Sequence, residues 1–337
     1  MSRYKISVLG AGSWGITLAI LLSENRHRVH LWEYHPEFAK RLNRIRESKD
    51  KLPGIKIPKS VLISNQLEKV LENSDIILFV IPSHTLRQVA LSVKKYKLKK
   101  NVIFVSAIKG IENDSLLRMS QIIQQILPQA TPERMIVLSG PSHAEEVARH
   151  LPTTIVAACH KLERARIVQN VFMRPYFRVY TNQDVIGVET AGALKNIIAI
   201  AAGIADGIGF GSNSKSALLT RGLFEISRLG VHLGAKALTF AGLAGMGDLI
   251  TTCISPYSRN RYVGEHIGQG ENLKKILSSM KMVAEGVKTT RSAYALSKKY
   301  QIEMPITQEV YRVLFKAKSP QKAVLDLMTR RAKTEIL

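Results

Sequence analysis

The first half of the chain alternates short apolar runs with amphipathic stretches. Runs rich in Val, Ile and Leu are typical of parallel strands that are buried on both faces. The predicted strands are Lys5–Leu9, Arg28–Trp32, Val61–Ile63, Asp75–Ile81, Asn101–Ile108, Met135–Leu138, Thr153–Ala158 and Phe177–Thr181. Helices are predicted at Ile16–Ser23, after His84 as far as Tyr96, and at His143–Arg149. This pattern predicts an α/β domain with a largely parallel sheet.

The strand pattern stops after about Thr181, and from Asp184 the apolar positions recur with the period of helices. The predicted helices are Val185–Ala205, Ser214–Arg228, Ala235–Phe240, Ala244–Cys253, Leu273–Met280, Lys288–Lys299, Thr307–Phe315 and Pro320–Thr329. A chain of 337 residues is long enough for two domains. The sequence therefore predicts an α/β domain at residues 1–183 followed by an all-α domain at residues 184–337.

One of these helices, within Gly187–Gly209, is almost wholly apolar or small and is predicted to be packed on every side. Lys195 and Asn196 interrupt it. Burial of an ammonium group is costly unless the group is paired, and burial lowers the pKa of a lysine. Lys195 could therefore exchange a proton near neutral pH, or it could extend its side chain out to water. The helix alone favours neither interpretation.

A glycine-rich turn, GAGSWG at Gly10–Gly15, follows the first strand. Its place between a strand and a helix, with a second strand after them, is the context of a dinucleotide-binding fingerprint. Gly10 permits the tight turn, Gly12 lets the backbone approach a pyrophosphate, and Gly15 lets the helix pack on the sheet. The N–H groups at the helix N-terminus favour phosphate. The first domain is therefore predicted to be an NAD(P)-binding domain of the Rossmann type.

The end of the second strand bears on the choice between NAD and NADP. An acidic residue there normally binds the ribose hydroxyls and selects NAD, and Glu33 occupies this position. Tyr34 and His35 could stack on adenine or contact a 2′-phosphate, and Glu33 could instead be a solvated strand end. The predicted cofactor is therefore NAD or NADP.

Other polar candidates lie beyond strand ends, where an open α/β sheet binds its ligands. These are Lys109, Gly140 and Ser142. In the second domain Asp248 follows glycines in the motif AGMGDL. Its carboxylate could pair with Lys195, or it could cap the N-terminus of a helix.

The run Ser258, Arg259 and Asn260 is predicted to lie in a loop after Pro256. Arginine suits forked recognition of a phosphate, and Ser and Asn add hydrogen-bond donors. The alternative for this run is a solvated basic loop.

Charge and cysteine content indicate which class of ligand the protein binds and in which cell compartment it works. The net charge is +23, but the basic residues are scattered, so small anions are predicted as ligands rather than nucleic acid. Cys159 and Cys253 lie far apart without metal-ligand spacing, which fits a reducing cytoplasm. The N-terminus has no secretory pattern, and no uninterrupted apolar run approaches the ~20 residues of a membrane span. Cytoplasmic localisation without membrane insertion is predicted.

Taken together, the motifs resemble those of the bacterial-type NAD(P)-dependent sn-glycerol-3-phosphate dehydrogenases. The resemblance covers nearly the whole chain through, in order, Gly10–Gly15, Ala107–Gly110, Ser139–Val147, Gly192–Gly207, Ala244–Leu249, Ser258–Asn260 and Val283–Val287. It implies a Rossmann domain followed by an all-helical substrate domain, commonly in a homodimer. It also implies reversible hydride transfer between NAD(P)H and C2 of dihydroxyacetone phosphate, giving sn-glycerol 3-phosphate for glycerophospholipid synthesis.

The resemblance implies a role for each matching residue, with Lys195 as the catalytic proton donor and acceptor. Residues that would contact the substrate are Lys109, Gly140, Ser142, Lys195, Asp248, Ser258, Arg259 and Asn260. Residues that the resemblance places against NAD(P) are Ser13, Trp14, Lys109, Ala144, Arg259, Val283 and Glu285. Gly10, Gly12, Gly15, Tyr34 and His35, predicted above from the fingerprint and the end of the second strand, complete the predicted cofactor site. The sequence departs from the family pattern at residues 33–35, so the preference between NAD and NADP stays open.

Two other functions compete with this interpretation. A related Rossmann reductase of a small hydroxy acid would need a pocket for a carboxylate. A noncatalytic dinucleotide sensor or a nucleic-acid-binding protein would leave the pairing of Lys195 with Asp248 without a purpose.

Overall fold

The computed structural model describes residues 3–280, 282–332 and 334–335. Its strands are β1 (Lys5–Leu9), β2 (Arg28–Trp32), β3 (Glu47–Ser48), β4 (Leu52–Lys56), β5 (Leu62–Ser64), β6 (Ile76–Phe79), β7 (Ile103–Ser106), β8 (Met135–Ser139), β9 (Thr153–Ala158) and β10 (Phe177–Asn182). Its helices are α1 (Ser13–Glu24), α2 (Pro36–Ile45), α3 (Leu67–Leu71), α4 (Leu86–Val93), α5 (Met119–Ile126), α6 (Ala144–Val147), α7 (Leu162–Phe172), α8 (Val185–Ile208), α9 (Ser212–His232), α10 (Ala237–Phe240), α11 (Asp248–Ile254), α12 (Arg259–Gly268), α13 (Leu273–Ser279), α14 (Glu285–Lys299), α15 (Pro305–Phe315) and α16 (Pro320–Met328). An α/β part precedes a helical part, so the predicted fold class is confirmed.

The main sheet has the strand order β10-β9-β8-β7-β6-β1-β2-β5. The strands from β5 to β8 in this order are parallel, whereas β9 is antiparallel to β8 and parallel to β10. Val8 of β1 pairs with Leu31 of β2 on one side and with Leu78 of β6 on the other. The strand order therefore reverses at β1, and open α/β sheets bind ligands at such a switch point. Separately, β3 and β4 form an antiparallel hairpin.

The central strands are buried on both faces, which explains their continuous apolar sequences. Leu78 packs in a core with Ile6 and Val8, whereas the next residue, Phe79, packs with Phe104 in a second core. Successive side chains of a strand point to opposite faces of the sheet. A strand with a core on each face has no solvated position, so the polar residues that mark an exposed strand are absent from it.

The helical part is built around α8, whose side chains are buried along most of its length. The carboxylate of Asp184 caps its start by accepting from the N–H of Gly187 at 2.8 Å, and Gly209 ends it with a left-handed φ of +90°. By length and composition, α8 and the helical stretch Ala237–Ile254 would each suffice to cross a membrane. However, 94% of the apolar window of α8 is buried inside the protein, as in a core helix.

The sequence pattern does not predict β3, β4, α2, α3, α5, α7 or α12. In particular, the prediction of a loop at Ser258–Asn260 is wrong, because the Ser258 hydroxyl accepts from the N–H of Arg261 at 3.2 Å and caps α12. Gly264 lowers the intrinsic helix propensity of this segment. A Cβ on Gly264 would collide with the carbonyl oxygen of Ile200 in α8. The glycine thus lets α12 pack directly on α8, and tertiary packing stabilises a helix that propensity disfavours.

Candidate active site

Lys195 is buried in α8, with 5% of its surface exposed. Its ammonium group donates to a carboxylate oxygen of Asp248 and, at 2.5 Å, to the hydroxyl oxygen of Thr252. The predicted pairing of Lys195 with Asp248 is confirmed. The alternative, in which the Lys195 side chain extends out of the helix to water, is wrong.

The carboxylate of Asp248 is shared with a second lysine. Lys109 lies beyond the carboxyl end of β7, and its Nζ is 2.7 Å from Oδ2 of Asp248 and 3.1 Å from the carbonyl oxygen of Gly140. Asp248 is the first residue of α11, whose N-cap is Gly247. The interpretation of Asp248 as a helix cap is therefore wrong, and its carboxylate instead holds two ammonium groups.

One carboxylate between two ammonium groups leaves a net positive charge in a site that is shielded from water. Burial lowers the pKa of Lys195 to about 7, with Asp248 acting against this effect and Lys109 adding to it. Near neutral pH, Lys195 is therefore divided between ammonium and amine, and it can both give and take a proton. The remaining positive charge favours an anionic substrate.

The sheet end and the helical part come close together at this site. A Cβ on Gly192 of α8 would lie 2.6 Å from Oγ of Ser139 and 3.7 Å from Cγ of Lys109. A larger side chain there would push α8 away from the sheet and separate Lys109 from Asp248. The π-helical turn Leu243–Gly247 brings Asp248 to the same point from the other side.

His143 lies at the site, although the sequence pattern does not predict a role for it. Its ring centre is 6.0 Å from that of Tyr257, and its Nε2 is buried without a hydrogen-bond partner among the described residues. Burial, followed by the charges of Lys195 and Lys109, lowers the pKa of His143 to about 4. The imidazole is therefore neutral at pH 7. Its signal in the sequence is its place inside SGPSHAEEV, between two predicted contact residues.

Two hydroxyl groups lie beside the lysine pair. Thr252, which was not among the predicted site residues, accepts from Lys195 and donates to the carbonyl oxygen of Asp248 at 2.6 Å. It follows Asp248 by four residues on one helix face, a spacing that could have revealed it. Ser142, a predicted substrate contact, donates to the carbonyl oxygen of Gly140 at 3.0 Å.

The start of α12 is tied to α8 through two asparagines. The amide of Asn260 donates to Oδ1 of Asn196 at 2.9 Å and accepts from the N–H of Gly286 at 2.8 Å. These bonds place the first turn of α12 next to Lys195 and to the first turn of α14. Asn260 therefore lies at the predicted site, where it joins three helices.

The glycine-rich turn has the geometry that a dinucleotide requires. Gly10 has a φ of +118°, and a Cβ there would lie 2.5 Å from the carbonyl oxygen of Val80. A Cβ on Gly15 would collide with the carbonyl oxygen of Gly10, whereas one on Gly12 would meet open space. Gly10 and Gly15 thus serve the backbone packing that the sequence predicts. The open space at Gly12, in front of the N-terminus of α1, fits a pyrophosphate.

Models of one enzyme family match both parts of the chain. The N-terminus of NAD-dependent glycerol-3-phosphate dehydrogenase matches residues 5–165, and the C-terminus of the same family matches residues 184–325. The chain belongs to this family. The glycerol-3-phosphate dehydrogenase [NAD(P)+] of Chlorobium phaeobacteroides is 50% identical and that of Pelotomaculum thermopropionicum 52% identical. These alignments cover 98% and 97% of this chain, and 99% and 93% of the relatives.

A solved structure supports the same assignment. The crystal structure of glycerol-3-phosphate dehydrogenase from Coxiella burnetii superposes with a TM-score of 0.92 at 36% identity. The match covers 97% of this chain and 99% of that chain. The protein is therefore an NAD(P)-dependent oxidoreductase of this family.

The residues that follow β2, predicted to lie near the adenosine of the cofactor, do not form a solvent-exposed acidic strand end. Glu33 is 5% exposed, and its carboxylate accepts from the N–H of His35 at 3.0 Å. The alternative of a solvated strand end is therefore wrong. Tyr34 is largely exposed and packs edge-on against Trp32, with 5.9 Å between ring centres. Both Tyr34 and His35 remain predicted cofactor contacts.

Three further predicted cofactor residues lie around the first turn of α1. The hydroxyl of Ser13 donates to the carbonyl oxygen of Lys51 at 2.6 Å. The indole of Trp14 packs on Phe177 with 6.4 Å between ring centres. The carbonyl oxygen of Ala144, at the start of α6, accepts from a hydroxyl in α1 at 3.2 Å. The structure therefore brings Ser13, Trp14 and Ala144 to one end of α1.

The last predicted residues lie where α12 and α14 begin. The guanidinium of Arg259 donates to the carbonyl oxygen of Val283 at 3.2 Å. The carboxylate of Glu285 accepts from the backbone N–H of Ser83, at 2.9 Å, and from its hydroxyl. Burial raises the pKa of Glu285. Glu285 thus links the helical part to the segment after β6, at the switch point of the sheet.

Proposed function

We propose that this protein reduces dihydroxyacetone phosphate at C2 and that Lys195 provides the proton. The observation that carries this proposal is a buried lysine that shares one carboxylate with Lys109 beyond the carboxyl ends of β7 and β8, in a sheet that begins with a dinucleotide fingerprint. A bound nicotinamide would supply or accept the hydride. Family membership favours glycerol 3-phosphate over the alternative, a small hydroxy acid, as the product.

The proton step follows from the charges of the site. The C2 oxygen of the substrate gains negative charge as the carbonyl is reduced, and an ammonium group that donates a proton removes this charge. In our proposal Lys195 donates the proton, and Lys109 stabilises the developing alkoxide. In the reverse direction the Lys195 amine takes the proton from the hydroxyl of glycerol 3-phosphate.

The non-reacting end of the substrate needs an anion site that orients C2. We assign the phosphate to the first turn of α12, where Ser258, Arg259 and Asn260 begin a helix whose N–H groups favour anions. Gly140 and Ser142 face the substrate from the sheet side. We assign the binding of NAD(P) to the predicted cofactor contacts named in the sequence, which include Lys109 and Arg259.

Wider features of the function are part of the same proposal. Residues 1–183 bind the cofactor, and residues 184–337 bind the substrate and carry Lys195. The protein acts in the cytoplasm as a homodimer, does not insert into membranes and does not bind nucleic acid. Its product, sn-glycerol 3-phosphate, is used for glycerophospholipid synthesis. Sedimentation of the purified protein tests the homodimer.

The test of the activity is the loss of NADH or NADPH absorbance on addition of dihydroxyacetone phosphate. Unphosphorylated dihydroxyacetone and a panel of keto acids are the controls. Oxidation of the reduced cofactor with the phosphorylated ketone alone supports the proposal. Faster turnover of a keto acid would contradict it.

The pH dependence of the two reaction directions is expected to be opposite. Reduction needs the ammonium form of Lys195 and oxidation needs the amine, and the pKa of Lys195 is about 7. Therefore kcat for reduction should fall as the pH rises through about 7, while kcat for oxidation rises. The measurement is kcat in both directions at saturating substrate, on both sides of pH 7. Parallel profiles would contradict the role of Lys195.

Replacement of Arg259 by alanine is expected to raise KM for dihydroxyacetone phosphate by roughly 10- to 100-fold. The reason is the loss of a charge-assisted contact with the phosphate, worth roughly 1.5–3 kcal/mol. Steady-state kinetics check the result, with Arg166→Ala, an exposed arginine of α7, as the control. Equal losses with phosphorylated and unphosphorylated substrate would exclude the phosphate role.

A further inference from the structure

A lysine lies against the acidic residue at the adenosine end of the fingerprint. Lys51 is in the turn between β3 and β4, and its Nζ is 3.7 Å from Oε2 of Glu33. The same Nζ donates to the carbonyl oxygen of Ala11, inside the glycine-rich turn, at 3.1 Å. It also lies 4.0 Å from the centre of the Phe38 ring. The ammonium group of Lys51 therefore lies between the glycine-rich turn and the carboxylate of Glu33.

The hairpin holds Lys51 in this position. Its carbonyl oxygen accepts from the hydroxyl of Ser13 at 2.6 Å, so both its backbone and its side chain are bonded to the glycine-rich turn. The next residue, Leu52, is buried in the core that lies on one face of the sheet. The ammonium is thus placed by the fold, unlike the end of a mobile surface side chain.

Charge at this point decides which cofactor the site accepts. NADP(H) differs from NAD(H) by a 2′-phosphate on the adenosine ribose, which an unpaired carboxylate at the end of β2 would repel. The side chain of Glu33 is 6% exposed, so water screens its charge poorly. Lys51, with 28% of its side chain exposed, offsets this charge and still reaches solvent. An ammonium has three donors, and a phosphate is a suitable acceptor for one of them.

We propose that Lys51 determines the cofactor range of this enzyme. It neutralises Glu33 and offers its ammonium to the 2′-phosphate, so that the site binds NADP(H) as well as NAD(H). The inference rests on the proposed binding of the cofactor at the glycine-rich turn and Glu33. Lys51 is a specificity-determining residue here and takes no part in the chemistry at C2.

The test measures binding of adenosine fragments, which avoids both the nicotinamide and the catalytic site. Isothermal titration calorimetry gives Kd for 5′-AMP and for adenosine 2′,5′-bisphosphate with the full-length protein. In Lys51→Met, Kd for the bisphosphate should rise by roughly tenfold or more, as expected for loss of a charge-assisted contact. Kd for 5′-AMP should change by less than about threefold, because the two fragments differ only in the 2′-phosphate.

Three variants control the measurement. Lys51→Arg keeps the charge and should keep the ratio of the two Kd values within about threefold of wild type. Lys51→Gln removes the charge but retains a donor for the carbonyl oxygen of Ala11. It should show the same rise in Kd for the bisphosphate as Lys51→Met, and it replaces Lys51→Met in the test if the methionine variant folds poorly. Lys56→Met removes an exposed ammonium, paired with Glu47, from the same hairpin and should leave the ratio unchanged.

Fragment binding by wild type reports on the cofactor site, and the change of the Kd ratio in the variants reports on Lys51. If wild type binds both fragments and the ratio is the same in Lys51→Gln, Lys51 does not set the cofactor range, although the cofactor site stands. If wild type binds neither fragment, the placement of adenosine beside the glycine-rich turn is overturned together with this inference, whereas reduction of dihydroxyacetone phosphate is decided separately by the oxidation of NADH or NADPH. In Glu33→Gln, Kd for the bisphosphate should fall relative to Kd for 5′-AMP, because the variant lacks the charge that repels the 2′-phosphate. An unchanged or higher ratio of the two Kd values would contradict the role of Glu33.

Discussion

Replacement of Lys195 by methionine is expected to lower kcat by about 10²–10⁴-fold, the loss typical of one acid–base group. Methionine keeps a similar apolar stem in the buried position of α8, so the variant should fold. The glycine-rich turn is untouched, so binding of NADH should persist. Steady-state kcat and a fluorescence titration with NADH measure the two effects separately. Near-native kcat in Lys195→Met would show that the proton comes from another group.

Lys195→Arg separates proton transfer from fixed charge. The guanidinium keeps a positive charge beside Asp248, but its pKa is too high for it to release a proton. We therefore expect Lys195→Arg to remain close to Lys195→Met in kcat. If arginine restores most of the activity, Lys195 acts as a fixed charge, and Lys109 or water must deliver the proton.

Replacement of Asp248 by asparagine is expected to damage both stability and catalysis. While Lys195 is protonated, the neutral amide leaves this buried ammonium group without its carboxylate partner and next to the partly exposed Lys109, and loss of one partner of a buried ion pair costs about 3–5 kcal/mol. The pKa of Lys195 should fall below its present value of about 7, because Asp248 raises it. At neutral pH, Lys195 then loses the proton that reduction needs. Chemical denaturation and the pH profile of kcat for reduction measure these effects.

The stability of wild type and of Asp248→Asn should depend on pH through the protonation of Lys195. The lowered pKa of Lys195 in the folded state means that above about pH 7 the unfolded chain binds more protons than the folded one. The free energy of unfolding contributed by Lys195 therefore rises with pH. In Asp248→Asn the pKa of Lys195 is lower still, so the variant already gains stability with pH below about 7, where wild type does not. The stability deficit of Asp248→Asn should therefore shrink as the pH rises towards about 7 and stay level above it. A second change, Lys109→Met, removes one of the two unpaired charges and should recover part of the lost stability. A deficit that is independent of pH would contradict this account.

The architecture of the first domain could be predicted because its signals are local. Buried parallel strands have continuous apolar sequences, and the turn at Gly10–Gly15 needs glycines for backbone geometry and close approach. Both signals lie within a few residues of the element they describe. The pairing of Lys195 with Asp248 was also predictable, because a buried ammonium needs an anion and the helical half offers a carboxylate in an apolar setting.

The missed helix α12 shows where local signals fail. Its glycines and polar residues disfavour a helix, and the packing of those glycines on α8 is visible only in the folded chain. The same limit applies to the hairpin that carries Lys51. Its short strands gave no periodicity, and the contact of Lys51 with Glu33 depends on the hairpin folding back over the glycine-rich turn.

The sequence alone determined that an α/β domain precedes an all-α domain, the place of the dinucleotide fingerprint and the chemical types available for proton transfer. The tertiary structure decided which groups meet. It placed Lys109 and Lys195 on one carboxylate and left the Nε2 of His143 buried beside them. Lys109 and Asp248 lie 139 residues apart in the chain, so their contact depends on the docking of α8 and α11 on the sheet end. The pKa of Lys195 follows from that docking, because desolvation depends on which surfaces come together in space.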